Sequence, residues 1–263
     1  MSKSKKVWLV IATSLVFIGM LMFVIVMSIN NWDFAKLNTV KYQSGIYYPQ
    51  EEFTNIYVNT NTANITIEPS ENDQCYINVY EQTNLEHIVE VKEDMLVISV
   101  VDKRKWYEHF GISLDTPKIT IYLPEKYLIS DVKIETSTGD IRIKDMLVDS
   151  LDLSVSTGDI KITNTGSKKL VTDGNTGDVF LKDVIVEGKL SIERDTGDIE
   201  FTRCDAEEIY IETDTGDIEG TLLTGKMFLV ETDTGDVDVP KPESGGICKI
   251  ESDTGDIEIS IVK

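Results

Sequence analysis

Apolar and polar residues alternate along the C-terminal half of the chain in a pattern that repeats every 19 or 20 residues. Each repeat contains Thr-Gly-Asp followed by Ile or Val, and the seven copies begin at Thr138, Thr157, Thr176, Thr196, Thr215, Thr234 and Thr254. Counted from the motif Asp, the first and third residues after it and the sixth and eighth before it are mostly apolar. A period of two with one apolar side predicts strands that bury one face.

So short a unit cannot bury its apolar face alone, whereas parallel stacking joins the faces of neighbouring units into one core. We therefore predict an all-β fold in which residues 131–263 form a parallel β-solenoid of about seven regular rungs. Parallel crossovers are nearly always right-handed, so a right-handed coil is expected. The motif would form one corner of each rung. Gly permits the corner backbone, Asp accepts bonds from backbone N–H groups, and Thr stacks as a β-branched column.

The same apolar spacing recurs upstream in the segments 62–67 and 116–121. Further alternating segments lie between them, and Lys92-Glu93-Asp94 predicts a hairpin turn. Residues 51–130 are therefore interpreted as an irregular β-rich cap. At the other end, the chain stops after an apolar alternation at 259–262 without a polar cap. This predicts that the last rung exposes a sheet edge.

Residues 7–29 form an uninterrupted run of 23 residues without a charge. As a helix it would be about 34 Å long, enough to cross a bilayer core of about 30 Å. The lysines before it predict a cytoplasmic tail at residues 1–6, a transmembrane helix at 7–29 and an extracytoplasmic remainder that starts with a tether at 30–50. A cleaved signal peptide is the alternative, but its apolar region is usually shorter and ends at a small-residue cleavage site.

Net charge limits the class of partner. The chain has a formal charge of −21, and residues 1–30 hold three of its 25 basic and none of its 46 acidic residues, which leaves −24 for the remainder. Such an acidic surface argues against binding nucleic acid or anionic lipid headgroups by charge. It fits a solvated domain that attracts cations.

The repeats Ser-Thr-Gly-Asp-Ile-Arg-Ile at 137–143 and Asp-Thr-Gly-Asp-Ile-Glu at 195–200, with the anchor and the β-rich half before them, resemble a bacterial β-strand-repeat family. That family is labelled "putative adhesin" and is a domain of unknown function. The resemblance covers about residues 50–263. It implies an anchored envelope protein, and some members are encoded beside cell-envelope stress-response systems in Gram-positive bacteria. The family has no assigned catalytic residues to transfer.

Acidic residues form the main candidate site. Stacked rungs would place motif Asp residues about 4.8 Å apart, where two unit charges in water repel by roughly 0.9 kcal/mol. A second acidic column joins the first in the last four rungs, and the two together contain Asp195, Asp198, Asp214, Asp217, Asp233, Asp236, Asp253 and Asp256. Ca²⁺ could relieve this repulsion through carboxylate and backbone oxygens, so these residues are the candidate metal ladder. In the favoured alternative each Asp caps its own turn, salt screens the repulsion and no cofactor is needed.

Other candidate chemistry is weaker. Asp-Thr-Gly imitates the aspartic-protease signature, but that reaction needs two carboxylates that share a proton across a cleft, and a ladder offers no such pair. Arg142, Lys161 and Lys182 form the one mixed patch that a polysaccharide lyase could use, and ordinary surface charge explains it better. Arg194 occupies an inward phase and is expected to turn outward with the extra residue of its rung.

The two histidines, His87 and His109, lie far apart in the irregular half without a nucleophile signature, so no catalytic use is expected. The segment 103–110 is a basic-aromatic cluster, interpreted as a loop whose aromatic rings pack on the cap. The three cysteines are Cys75, Cys204 and Cys248. Their spacing suggests neither a metal site nor a redox pair, and we expect buried thiols that pack as small hydrophobes.

These observations favour a non-catalytic, membrane-anchored binding or scaffolding protein of the bacterial cell envelope. Its partner would be a cell-wall polymer or another membrane protein. A polysaccharide-active β-helix enzyme and a Ca²⁺-responsive sensor domain are the alternatives. A groove with convergent acid and base side chains would favour the enzyme, and a rise in melting temperature with Ca²⁺ would favour the sensor.

Overall fold

The computed structural model describes residues 3–34, 40–106, 113, 115–241 and 245–262. They divide into two compact units, one made of Met1–Lys41 with Arg104–Asp115 and the other of Tyr42–Lys103 with Thr116–Lys263. The first unit contains helix α1, Lys3–Ile29. The segment Ser4–Ile29 has a mean hydropathy of 2.8 and is long and apolar enough to cross a membrane. The prediction of one N-terminal apolar helix followed by an all-β region is confirmed.

The second unit consists of strands. They are β1 Tyr42–Tyr47, β2 Asn55–Thr62, β3 Asn64–Pro69, β4 Tyr76–Gln82, β5 Leu85–Lys92, β6 Met95–Asp102, β7 Lys118–Leu123, β8 Ile129–Thr138, β9 Ile141–Thr157, β10 Ile160–Thr176, β11 Val179–Thr196, β12 Ile199–Thr215, β13 Ile218–Leu222, β14 Met227–Thr234, β15 Val237–Asp238, β16 Ile247–Thr254 and β17 Ile257–Ile261. We call one level of the stack a rung: a strand before the Thr-Gly-Asp corner, the corner, and a strand after it.

The regular rungs pair in parallel, displaced by one repeat. Ile160 lies opposite Ile141 on one side and Val179 on the other, and Val179 lies opposite Ile199. All four of these side chains are fully buried. Apolar residues in phase therefore form continuous columns, because in-register parallel pairing places equivalent positions of neighbouring rungs side by side.

Four of the rungs contain a second bend that the sequence pattern did not reveal. Five residues after the motif Asp, the backbone adopts positive φ at Asp145, Asn164, Asp183 and Arg203, with φ between 48° and 55°. Asp and Asn tolerate this left-handed conformation better than most residues. The return side of these rungs is thus a defined bend inside long strands.

The last two rungs are stacked in the reverse of their sequence order. Strand β12 pairs with β16, and β16 pairs with β14. On the other side of the corner, β13 pairs with β17, and β17 pairs with β15. The C-terminal rung is therefore inserted between two earlier ones. Among the described strands, β14 and β15 form the edge of the stack up to Asp238, and residues 259–261 pair only with β13, so the predicted edge is confirmed at 259–261 but does not include the whole last rung.

The N-terminal half shows the same interleaving. Strand β2 lies between β6 and β8, and β3 lies between β7 and β9. Antiparallel β5 covers β6, and antiparallel β4 covers β7. The hairpin turn predicted at residues 92–94 joins β5 to β6. One boundary needs correction, because β1 lies within the predicted tether yet pairs with β4 along its whole length.

Candidate functional site

The Thr-Gly-Asp corners form one column, and backbone geometry explains the glycine. The seven motif glycines have φ between 129° and 154°. A Cβ at Gly177 would lie 2.2 Å from the carbonyl oxygen of Gly158 in the neighbouring rung. The Gly177 N–H donates to the Thr196 carbonyl at 3.0 Å, and the equivalent bond recurs between the other stacked corners. No residue with a side chain fits so close a contact between corners at this φ.

The motif aspartates form a hydrogen-bonded ladder. Oδ1 of Asp159 accepts the backbone N–H of Asp178 at 3.0 Å, and Oδ1 of Asp178 accepts that of Asp198 at 2.9 Å. The same bond connects every pair of adjacent motif aspartates, in the order Asp140, Asp159, Asp178, Asp198, Asp217, Asp256 and Asp236. Each aspartate therefore caps the turn of the next rung. The expectation that each Asp caps its own turn is wrong.

Asn64 occupies the position before the first motif aspartate. Its Oδ1 accepts the N–H of Asp140 at 3.0 Å. An amide oxygen thus makes the same bond without a charge, which shows that the ladder requires an acceptor and not an anion.

The second acidic column lies beside the first with exposed side chains. It follows the stacking order Asp195, Asp214, Asp253 and Asp233. Asp195 accepts a bond from Nδ2 of Asn175 at 2.8 Å. Among the described residues, no three His, Cys, Asp or Glu side chains are grouped as a metal site. The structure brings the eight predicted aspartates into two adjacent columns, and Ca²⁺ binding by them stays a prediction.

Arg194 contradicts the expectation that it turns outward. Its side chain is only 3% exposed, and Nη1 donates to the Val155 carbonyl at 3.3 Å. The guanidinium fits there because the neighbouring residue is Gly174, and a Cβ on Gly174 would lie 1.9 Å from Nη1. Among the described residues, Nε and Nη2 have no hydrogen-bond partner. Burial lowers the pKa of the guanidinium, and nearby Asp173 opposes that shift.

A buried polar network connects the cap strands, and sequence reasoning missed it. Nε2 of His87 lies 2.9 Å from Oγ1 of Thr60, and Nδ1 lies 2.9 Å from Oε2 of Glu81. Glu81 also accepts the His87 backbone N–H and, at 3.2 Å, Nε2 of Gln43. Thr60, Glu81 and His87 are each 3% exposed. The order hydroxyl, imidazole, carboxylate imitates a hydrolytic triad, but at this burial it joins β1, β2, β4 and β5 as a structural unit. His109, the other histidine, lies outside the described residues.

The cysteines are packed as expected. Cys204 and Cys248 are fully buried on inward positions. Burial raises the pKa of Cys75 and of Cys204 to about 11, and that of Cys248 to about 12. All three thiols are therefore protonated at neutral pH and poorly reactive.

The mixed patch lies on one exposed face. Arg142 pairs with Lys161 across the sheet, and Lys161 with Phe180, after which the same row becomes acidic at Glu200. Arg142 is engaged by Asp140 at 2.8 Å. These residues lie side by side on neighbouring strands of the same sheet face. Residues 107–110 of the basic-aromatic cluster lie outside the described residues.

Tyrosines on the cap were also missed. Tyr76 stacks on Tyr122 with ring centroids 4.4 Å apart, and Tyr42 stacks on Tyr80 at 4.9 Å. These pairs connect β7 to β4 and β4 to β1 across the antiparallel part of the sheet. The two rings of each pair stack face to face, and this contact stabilises the cap.

The fold and the ladder define a class: an all-β repeat protein that follows an N-terminal apolar helix. Within it, the chain belongs to the Toastrack family, DUF4097, whose model matches residues 53–263. The family has no established function, and the resemblance to adhesin-like proteins of unknown function is confirmed. No curated protein matches the chain significantly.

Solved structures resemble the fold at low sequence identity. A protein from Bacteroides fragilis described as a "putative adhesin" has 18% identity and a TM-score of 0.53, with 84% of this chain and 97% of that chain covered. A "putative cell adhesion protein" from Clostridium sporogenes has 18% identity and a TM-score of 0.36, with 85% and 100% covered. A "putative lipid binding protein" from Parabacteroides distasonis has 16% identity and a TM-score of 0.42, with 85% and 97% covered. At such identities the likeness concerns the fold alone.

Proposed function

We propose that the chain is a non-catalytic, single-pass membrane protein of the bacterial cell envelope, whose right-handed β-solenoid acts outside the membrane as a binding or scaffolding domain. The observation that carries this proposal is the Asp ladder. The motif that looks at first like seven active sites uses its carboxylates between rungs, where Oδ1 of one Asp accepts the N–H of the next. A stack with its corners so joined is a rigid support for the exposed rows on its faces.

Two further observations support binding over catalysis. The basic row that a lyase would need is flat, and its Arg142 is already paired with Asp140. The buried imidazole of His87 is enclosed by strands. The neighbour from Bacteroides fragilis is named for adhesion, which agrees with a surface role.

Placement is tested by thiol labelling in intact cells. The three native thiols give little background, because Cys204 and Cys248 are buried and Cys75, which is half-buried, has a raised pKa. Ser156→Cys, at an exposed repeat position, should react with a membrane-impermeant maleimide in intact cells. Ser2→Cys should react only after permeabilisation. The reverse pattern would show that the β-unit is cytoplasmic.

Catalysis is tested separately with purified peptidoglycan and wall polysaccharide. We expect the full-length protein in detergent to retain polymer on a pull-down without changing its chain length or number of reducing ends. Time-dependent new reducing ends would establish the enzyme alternative instead.

A further inference from the structure

We propose that the edge formed by β14 and β15 is a docking site for one extended strand of a partner polypeptide. The strand would lie parallel to β14, with apolar side chains opposite Met227 and Leu229 and basic side chains opposite Glu231 and Asp233. The inference names a partner class for the binding role proposed above. It requires no assumption about the membrane topology.

The core is incompletely covered at this edge. Val237 occupies the column that contains Ile218 and Ile257, and it is 45% exposed where those two are 0% and 1% exposed. Val230 is likewise half-buried, whereas its neighbour Ile250 is fully buried. One more strand across the end would bury these side chains as interior rungs bury theirs.

The hydrogen-bonding groups at this edge are those that an added strand would bond. At interior corners, the Gly N–H and the N–H two residues later donate to the next rung, and the Asp carboxylate accepts from it. In the described part of the chain, the N–H of Gly235, the N–H of Val237 and Oδ1 of Asp236 have no next rung to bond. Two donors and one acceptor at this spacing complement the backbone of an added parallel strand.

Outward side chains specify the chemistry of that strand. Along β14, Met227 and Leu229 are 50% and 54% exposed, and Ile247 beside Met227 is 48% exposed. Glu231 and Asp233 follow on the same face and are exposed. Cross-strand neighbours of opposite charge stabilise a sheet and like charges destabilise it, so the partner should be apolar in its first half and basic in its second.

A second copy of the chain fits this edge poorly. Two-fold edge-to-edge pairing of β14 with its copy would be antiparallel, and β14 contains no basic residue to place opposite Glu231 and Asp233. Head-to-tail stacking would need a free N-terminal end, but there the chain covers β6 and β7 with antiparallel β5 and β4. The occupant is therefore a different polypeptide.

The probe is the peptide Ile-Val-Ile-Val-Lys-Thr-Lys, acetylated, amidated and carrying a fluorophore, titrated with the full-length protein in nanodiscs. Its register places isoleucines opposite Met227 and Leu229, and lysines opposite Glu231 and Asp233. A second peptide carries Glu at both Lys positions. We expect the lysine peptide to bind about tenfold more tightly than the glutamate peptide.

A charge swap makes the test specific. The double variant Glu231→Lys with Asp233→Lys should reverse the preference between the two peptides. The matched control is Glu193→Lys with Asp195→Lys, at the equivalent exposed positions of an interior rung, and it should leave the preference unchanged. All variants are first checked for an unchanged melting temperature.

Amide exchange locates the contact: the lysine peptide should slow exchange along β14, within Met227–Thr234, and not at the cap. Absence of peptide binding at millimolar concentration would overturn the proposal. An equal effect of the control variant, or a dimer in light scattering that the Glu231→Lys with Asp233→Lys variant abolishes, would overturn it as well. The thiol-labelling result bears only on topology, so failure of either idea is distinguishable from failure of the other.

Discussion

At the scale of single residues, position in the ladder decides what each side chain does. Asp217 accepts the N–H of Asp256 at 2.9 Å while its own N–H donates to Asp198 at 2.9 Å. Since Asn64 makes the equivalent bond at the head of the ladder, an amide should serve as well as a carboxylate.

Asp217→Asn should therefore leave the free energy of unfolding nearly unchanged. Asp217→Ala should lower it by about 1 kcal/mol, the usual cost of losing a side-chain cap on a backbone N–H. Urea denaturation of the three proteins measures both values. If Asn proves as harmful as Ala, the carboxylate charge matters and the capping explanation fails.

Calcium is a separate question for the same carboxylates. Because the Oδ1 atoms of the motif aspartates are engaged by backbone N–H groups, we expect millimolar Ca²⁺ to leave the melting temperature unchanged. A rise in melting temperature that disappears in Asp214→Asn with Asp253→Asn would establish the metal ladder. Asp140→Asn with Asp159→Asn, in rungs without the second acidic column, is the control for charge alone.

Arg194 offers a stability gain. Nε and Nη2 are buried without a protein partner, and an unsatisfied buried polar group costs about 1–3 kcal/mol. Arg194→Met retains much of the side-chain volume and removes both donors, so we expect the free energy of unfolding to rise by about 1 kcal/mol. Chemical denaturation at several salt concentrations measures it. A clear loss of stability would mean that the guanidinium has a bound water or ion as its partner.

At the scale of elements, the cap and the repeats are built differently. The repeats form continuous core columns, whereas the cap joins four strands through the buried contacts of His87 and Glu81. Removing one partner of a buried hydrogen-bonded pair leaves the other unsatisfied, which costs about 1–3 kcal/mol for each group left without a bond.

Glu81→Leu should therefore destabilise the cap by about 3 kcal/mol, and the double variant with His87→Leu should recover much of that loss. Hydrogen exchange should quicken first in β4 and β5, because local opening follows cooperative structural units. Equal acceleration in β10 and β11 would show that cap and repeats unfold as one.

How far the sequence predicts these elements depends on how much of each is periodic. The inward columns and the Thr-Gly-Asp corner recur in phase, so strands, corners and parallel register follow from spacing. The bend at Asp145, Asn164, Asp183 and Arg203 lies at a constant phase, yet its residue types vary too much to signal a left-handed turn. Arg194 was misplaced because the space for it comes from Gly174, one rung away, and no local pattern reports a neighbour's missing side chain.

At the scale of the whole molecule, the spacing of the motifs does not determine the order in which the rungs stack. Every rung presents similar apolar columns, so any stacking order satisfies the same pattern. The choice depends on the segments that connect the strands, and residues 223–226 connect β13 to β14 past one level of the stack. Lys226, buried and paired with Asp205 at 2.5 Å, fixes this connection.

The observed stacking order of the rungs and their order in the sequence predict different effects of truncating Ile257. If rungs were stacked as they occur in the chain, Ile257 would belong to the end rung and its truncation would cost little. In the structure Ile257 is 1% exposed between β13 and β15, while Val237 at the true edge is 45% exposed.

Ile257→Ala should therefore lower the free energy of unfolding about as much as the matched Ile218→Ala in the neighbouring interior rung, by about 2–5 kcal/mol. Val237→Ala should cost about 1 kcal/mol or less, since only part of its side chain leaves water on folding. Denaturant melts of the three variants decide between the orders. A small loss for Ile257→Ala with a large one for Val237→Ala would place the C-terminal rung at the edge and remove the docking site proposed for β14.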